Sequence, residues 1–98
     1  SHITGGGFYE NIPRMLKDGT TAKIEKSAVP MLPIFDLIQA AGSIPERDMF
    51  NTFNMGVGMS VAVSKETAQA ALDAFTAAGE EAVVLGEVVS GDEGVVLC

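Results

Sequence analysis

Two short stretches hold most of the residues able to do chemistry. The first reads His2-Ile3-Thr4-Gly5-Gly6-Gly7 and carries the only histidine of the chain. Consecutive glycines open backbone conformations that other residues avoid, and they let main-chain N–H groups come close to a ligand. A threonine leading into such a run can present several N–H groups and one hydroxyl to a single anion. A tight turn accounts for the same residues. The pattern is neither the dinucleotide-binding glycine fingerprint nor the Walker A loop, which needs a lysine after its glycines. His2 can donate to a phosphate or act as a general acid or base, set against simple surface exposure. Glu10 fits a first-turn acid, and Asn11 a helix cap or a ligand donor. Arg14 can hold phosphate with its guanidinium fork or form a surface ion pair.

The second stretch, Asn51-Thr52-Phe53-Asn54-Met55-Gly56-Val57-Gly58-Met59, feeds amides and glycines into an apolar run. Its amides can satisfy turn backbone or touch a polar ligand. Elsewhere the carboxylates show no pairing suited to acid–base work. Asp36, Glu46 and Asp48 fit helix ends, and Glu80, Glu81, Glu87, Asp92 and Glu93 fit solvated faces and turns. One histidine and one cysteine, Cys98, give no metal site and no internal disulfide. Six Lys and Arg stand against 13 Asp and Glu, for a formal charge of −7. A nucleic-acid backbone or an anionic membrane is bound through clustered cations, so neither is expected as a partner. No apolar run approaches the roughly 20 residues of a spanning helix, and no signal peptide is visible. The chain opens on Ser1 rather than Met, as a processed, tagged or cut polypeptide would.

Elements that would position these residues follow from pattern. The length of 98 residues suits one domain. A short helix is expected within Phe8–Leu16: Asn11 and Pro13 fit one over Ile12–Leu16, while a turn beginning right after Gly7 is the alternative, and Lys17-Asp18-Gly19 is a turn. Thr20–Glu25 reads as a strand with Ala22 and Ile24 on one side. Pro33 starts a helix that Gly42 ends, its apolar side formed by Ile34, Phe35, Ile38 and Ala41. Met49, Phe50 and Phe53 anchor a helical turn. Val57–Val63 alternates as a strand, with Val57, Met59, Val61 and Val63 facing one way. Ser64 caps an amphipathic helix running through Ala78 to Gly79. Ala82–Val89 predicts a strand interrupted by Gly86. A turn at Ser90–Gly94 and a strand at Val95–Leu97 would complete a hairpin if the two strands pair. A helix between two strands suggests an α/β layer.

His2-Ile3-Thr4-Gly5-Gly6-Gly7-Phe8-Tyr9-Glu10-Asn11-Ile12-Pro13-Arg14 resembles the glycine-rich segment of phosphoribosylformylglycinamidine cyclo-ligase, the aminoimidazole ribonucleotide synthetase family. Met49-Phe50-Asn51-Thr52-Phe53-Asn54-Met55-Gly56-Val57-Gly58-Met59 resembles that family's second C-terminal motif. Their order and separation match as well, and the resemblance covers nearly the whole chain. It implies that residues 1–98 are a single fragment of the C-terminal domain, with the N-terminal ATP-binding domain absent. The implied fold is α/β, a fragment of a three-layer α/β/α domain with a mixed sheet and partial ferredoxin-like topology. The implied parent is a cytoplasmic homo-oligomer of purine biosynthesis. It uses ATP and Mg²⁺ to convert formylglycinamidine ribonucleotide into aminoimidazole ribonucleotide, ADP and phosphate.

In the reaction that the resemblance implies, ATP phosphorylates the formyl oxygen. The amidine nitrogen then attacks, the imidazole ring closes and phosphate leaves. The fragment is expected to be inactive alone and to bind neither ATP nor Mg²⁺ tightly. By resemblance, Thr4, Gly5, Gly6, Gly7, Asn11, Thr52 and Asn54 line or support the substrate cleft, and His2 is the catalytic candidate. Two other classes stay open: a stand-alone phosphate-binding or regulatory module, and a structural fragment that self-associates through exposed strand edges.

Overall fold

A computed structural model describes all residues from Ser1 to Cys98. Its sheet has three strands, β1 (Thr20–Ile24), β2 (Gly86–Ser90) and β3 (Val95–Leu97), in the order β2-β1-β3. Strand β1 pairs antiparallel with β2, Thr20 opposite Ser90 and Ile24 opposite Gly86. It pairs parallel with β3, Ala22 opposite Val95 and Ile24 opposite Leu97. The expected hairpin of the last two strands therefore does not form, because β1 lies between them and takes hydrogen bonds on both edges. Two contacts hold the intervening turn across the end of β1: the buried Thr21 hydroxyl accepts the Glu93 N–H at 3.2 Å, and Ala22 N–H donates to the Gly94 carbonyl at 2.9 Å. Gly86 begins β2 rather than interrupting it. A Cβ there would sit 1.9 Å from the Lys23 carbonyl oxygen, so only glycine allows the strands to meet at that point.

Four α-helices accompany the sheet: α1 (Gly7–Asn11), α2 (Pro33–Gly42), α3 (Glu46–Thr52) and α4 (Ala68–Ala77). The first begins at Gly7, in keeping with the earlier of the two starts the sequence leaves open, and continues into a 3₁₀ turn at Ile12–Met15. Asn11 is thus inside the helical run and caps nothing. Proline starts α2 as expected, and Ser43 in a left-handed conformation ends it just past Gly42. Helix α4 ends as predicted. Gly79, at φ 87°, allows Glu80 N–H to reach the Phe75 carbonyl at 2.9 Å and Gly79 N–H the Thr76 carbonyl at 3.0 Å. The Ser64 side chain pairs with the Thr67 hydroxyl instead of capping an N–H, and a 3₁₀ turn at Lys65–Thr67 precedes α4.

The core gathers where β1, α1 and α3 meet. Phe8 and Phe50 lie edge to face, their ring centres 5.4 Å apart, among Ile3, Ile12, Ile24, Met49, Met55 and Val95. Aromatic pairs of this geometry add to simple area burial.

The largest departure from the sequence pattern lies between Val57 and Leu85. Val57–Val63 is not a strand. Its one bridge pairs Met59 with His2, supported by Ile3 N–H to the Gly58 carbonyl at 2.9 Å and Ser60 N–H to the Ser1 carbonyl at 2.8 Å. Val57 is buried, but Met59, Val61 and Val63 are 64%, 52% and 47% exposed. Ala82–Leu85 is equally outside the sheet, with Val83 and Val84 exposed, and α4 buries no residue. An open slot of about 1490 Å³ separates this excursion from the sheet, lined by Val57, Val61, Leu72, Phe75, Val83 and Leu85 among others. The alternation of Val57–Val63 is strand-like, but a strand also needs a neighbour to accept its hydrogen bonds, and residues 61–63 have none in this chain. The architecture is a small α/β domain with a mixed three-stranded sheet and several helices.

Candidate functional site

The glycine segment is built between the bridge at His2 and the first turn of α1. Ile3 is buried and anchors the chain before the loop. Thr4 and Gly5 are exposed, and Gly6 is partly so. Gly6 (φ 99°) and Gly7 (φ 59°) both occupy the left-handed region, which explains why glycine is needed at these two positions. At Gly7 the need is also steric. A Cβ would lie 2.0 Å from the Phe50 carbonyl oxygen and 2.9 Å from that of Phe53, so the loop rests directly on the backbone of α3. Gly5 differs: a Cβ there would meet nothing within 4 Å. The N–H groups of Gly5 and Gly6 donate to no acceptor in the protein, whereas Gly7 N–H closes a turn to the Thr4 carbonyl at 3.0 Å. Two adjacent main-chain donors of the loop therefore stand unpaired within the protein, with the Glu10 side chain packed against Gly6.

Two asparagines hold the loop from behind. Asn11 is 3% exposed. Its amide nitrogen donates to the carbonyls of Gly7 at 2.8 Å, Thr4 at 3.2 Å and Gly5 at 3.3 Å. Its Oδ1 accepts the Thr4 hydroxyl at 3.4 Å. The Thr4 hydroxyl thus turns into the loop. Asn51, on α3, donates its amide to the Gly6 carbonyl at 3.2 Å and to Glu10 Oε2 at 2.7 Å. Beside it, the Arg47 guanidinium lies 3.9 Å above the Tyr9 ring. Helices α1 and α3 therefore bring the two sequence stretches together.

The remaining expected residues are spread around this pair. His2 is exposed and its backbone bridges Met59. Thr52 ends α3 and is exposed. Asn54 closes a turn, its Oδ1 accepting Gly56 N–H at 2.9 Å. That turn places Met55 and Gly56 at positive φ, and Gly56 lies so close to the Pro30 carbonyl that a Cβ would approach it to 2.7 Å. Arg14 is exposed and forms no ion pair; the single pair joins Lys26 to Glu46 at 3.2 Å. Asn51 was not among the expected site residues. Its type stands out in the sequence, but nothing along the chain links it to Gly6 until α3 folds over α1.

All residues from 1 to 98 match the family model described as AIR synthase related protein, C-terminal domain. The chain belongs to this family. It is 52% identical over 98 residues to the phosphoribosylformylglycinamidine cyclo-ligase of Lachnoclostridium phytofermentans, covering 100% of this chain and 29% of that relative. The protein of the same name from Acetivibrio thermocellus is 49% identical over 98 residues, again 100% and 29%. That of Caldanaerobacter subterraneus is 50% identical over 97 residues, covering 99% and 29%. The chain thus spans under a third of the length of these curated relatives. Membership in the family agrees with the resemblance read from the glycine segment and the Asn51–Met59 stretch.

Proposed function

We propose that this chain forms one wall of the substrate cleft in a longer phosphoribosylformylglycinamidine cyclo-ligase, an ATP-dependent enzyme that closes an imidazole ring. The observation that carries this reading is the pair of unpaired N–H groups at Gly5 and Gly6, on a loop tied from behind. Family membership and the names of its relatives supply the reaction. In this reading the two N–H groups hold an anionic oxygen of formylglycinamidine ribonucleotide or of its phosphorylated intermediate. Fixed backbone donors suit that task, since they need no reorganisation when charge develops. Thr4 and Gly7 set the shape of the loop and Asn11 orients it. Asn54 and Thr52 support the cleft floor. His2 stabilises the same charge or moves a proton at the outer edge of the loop.

Phosphorylation by ATP supplies the leaving group that an amide oxygen lacks. Holding the amidine nitrogen beside the activated carbon then removes much of the entropic cost of ring closure. No group of three or more His, Cys, Asp or Glu side chains converges in this chain. The residues that hold ATP and Mg²⁺ belong, in this reading, to the remainder of the protein, with an N-terminal domain as partner and a homo-oligomer as the working form. The three-layer α/β/α arrangement with partial ferredoxin-like topology belongs to the complete C-terminal domain. No helix here is long and apolar enough to cross a membrane, and a cytoplasmic location is part of the same proposal.

The test is turnover. The full-length polypeptide, given formylglycinamidine ribonucleotide, ATP and Mg²⁺, is expected to form aminoimidazole ribonucleotide, and the isolated 98-residue chain is expected not to. Failure of the full-length protein overturns the reading. Turnover by the isolated chain overturns the division of labour within it.

A further inference from the structure

We infer that the residues immediately preceding Ser1 in the full-length polypeptide pair antiparallel with Val61–Val63 and complete the strand that the alternation of Val57–Val63 predicts. The inference takes from the cyclo-ligase reading only that the working protein is longer than this chain and continues before Ser1. It starts from a ladder already present. Ser1 N donates to the Ser60 carbonyl at 2.7 Å, and Ser60 N–H donates to the Ser1 carbonyl at 2.8 Å. His2 bridges Met59 in antiparallel sense, and Ile3 N–H donates to the Gly58 carbonyl at 2.9 Å. Ser1 thus faces Ser60, His2 faces Met59 and Ile3 faces Gly58. Ser1 and Ser60 exchange both bonds while His2 and Met59 exchange none, which is the alternation of an antiparallel pair.

This register continues in one way. Each step back from Ser1 is a step forward from Ser60, so the residue just before Ser1 falls opposite Val61 and the one before it opposite Ala62. The main chain of Val61–Val63 makes no hydrogen bond within the chain, and the Val61 and Val63 side chains are exposed. The direction in which the polypeptide leaves is also fixed. Ser1 is half-buried, and its hydroxyl donates to the Asn11 carbonyl at 2.9 Å, which holds the start of the ladder in line with Val61–Val63. Length and covalent continuity decide the occupant. In a polypeptide as long as its relatives, of which these residues match 29%, the peptide bond to Ser1 delivers the preceding residues to this edge. A second copy would first have to offset the loss of its translational and rotational freedom. The completed strand runs straight into the glycine loop and braces its entry at Thr4.

The test is disulfide trapping in the full-length protein, with Cys98→Ser and any other cysteine replaced by serine. Partners that exchange no hydrogen bonds have Cα atoms about 4.5 Å apart, within disulfide reach. His2→Cys with Met59→Cys is therefore the control. A cysteine just before Ser1 combined with Val61→Cys occupies the next such position. Mild oxidation of mixed isotope-labelled and unlabelled protein, read by peptide mass mapping, is expected to join this pair almost completely and within one molecule. Combined instead with Ala62→Cys, on the opposite face, or Val63→Cys, roughly 7–8 Å away along the diagonal, the same cysteine should stay reduced. In the protein without added cysteines, the Ala62 N–H should exchange at least about a hundredfold more slowly than an unprotected amide. Preferred bonding to Ala62→Cys or Val63→Cys overturns the register, and a bond between differently labelled molecules overturns the occupant in favour of a second copy. No bond at Val61→Cys while the control closes overturns the inference, as does an unprotected Ala62 N–H. If the control also stays reduced, the ladder is absent and the inference falls with it. Trapping at Val61→Cys in a protein that forms no aminoimidazole ribonucleotide would leave this pairing standing and sink the catalytic reading alone.

Discussion

Replacing Gly7 by alanine in the full-length protein should destabilise the domain severely, and replacing Gly5 by alanine should not. The two positions are two residues apart in one loop, so chemistry and sequence neighbourhood are held nearly constant. At Gly7 the added methyl carbon would start 2.0 Å from the Phe50 carbonyl oxygen, 2.7 Å from its carbon and 2.9 Å from the Phe53 carbonyl oxygen. Ordinary contact at these atoms needs more than about 3 Å, and all three belong to backbone at the end of α3, which cannot yield by changing a rotamer.

Two costs combine. A left-handed conformation for a residue with a Cβ costs roughly 1–2 kcal/mol, and forcing extra volume into packed structure typically costs about 1–3 kcal/mol. Their sum, about 2–5 kcal/mol, is a large fraction of the roughly 5–15 kcal/mol that holds a typical domain folded. At Gly5 a Cβ meets open space, and its φ lies outside the positive region, so the expected change is within about 0.5 kcal/mol. Urea denaturation followed by circular dichroism, on both variants and the wild type, measures the difference. If Gly7→Ala unfolds within about 0.5 kcal/mol of wild type, the loop does not rest on α3 as described, and the geometry assigned to the candidate site is wrong.

Phe50→Ala should cost about 3–5 kcal/mol in the same denaturation assay, because the ring is buried against Phe8 and leaves a cavity. Thr4→Ala should impair turnover less than Gly6→Val, since the Thr4 hydroxyl donates into the loop at 3.4 Å while the backbone donors stay in place; steady-state kinetics normalised to folded protein decide this, and the reverse order would move the main anion contact to the hydroxyl. The isolated chain should self-associate through Met59–Val63 and Val83–Val84, where large apolar side chains are exposed; a monomeric mass up to high micromolar concentration in sedimentation would refute this. Val61→Lys together with Val84→Lys should then shift the mass toward monomer.

Local rules read the sequence well wherever one residue decides the outcome. Pro33 starts α2, Gly79 ends α4, and Ala22 and Ile24 turn inward from β1. The glycine run and the Asn51–Met59 stretch also stand out by type, because unusual backbone and dense amides are visible in one dimension. Sheet pairing was not legible, since Val57–Val63 and Ala82–Val89 satisfy the strand pattern equally well whether or not a neighbour exists to accept their hydrogen bonds. The hairpin of β2 and β3 failed for a related reason: turn chemistry at Ser90–Gly94 cannot reveal that β1 will lie between the arms. Asn11 illustrates the third kind of gap. Helix-cap chemistry suits its type, but the buried amide finds three carbonyls of the preceding loop, a choice that only the folded α1 turn offers.

Because β1 is the central strand, the sheet cannot close until residues 86–97 have been made. Thr20 must wait for Ser90, and Ala22 for Val95, before either edge of β1 has a partner. Closing loops of that length is costly in entropy before any pairing rewards it, and folds dominated by such distant contacts form slowly. On the ribosome, the glycine loop and helices α1 to α3 emerge well before the strands that brace β1, which lies between α1 and α2 in the chain. During that interval the apolar face of β1 is open to other occupants, including the unpaired valines of the 59–63 and 83–84 segments as they emerge. Closure of the sheet during synthesis is therefore governed by residues 86–97, and a chaperone that shields β1 until they emerge would raise the yield of the folded form more than one acting on the helices.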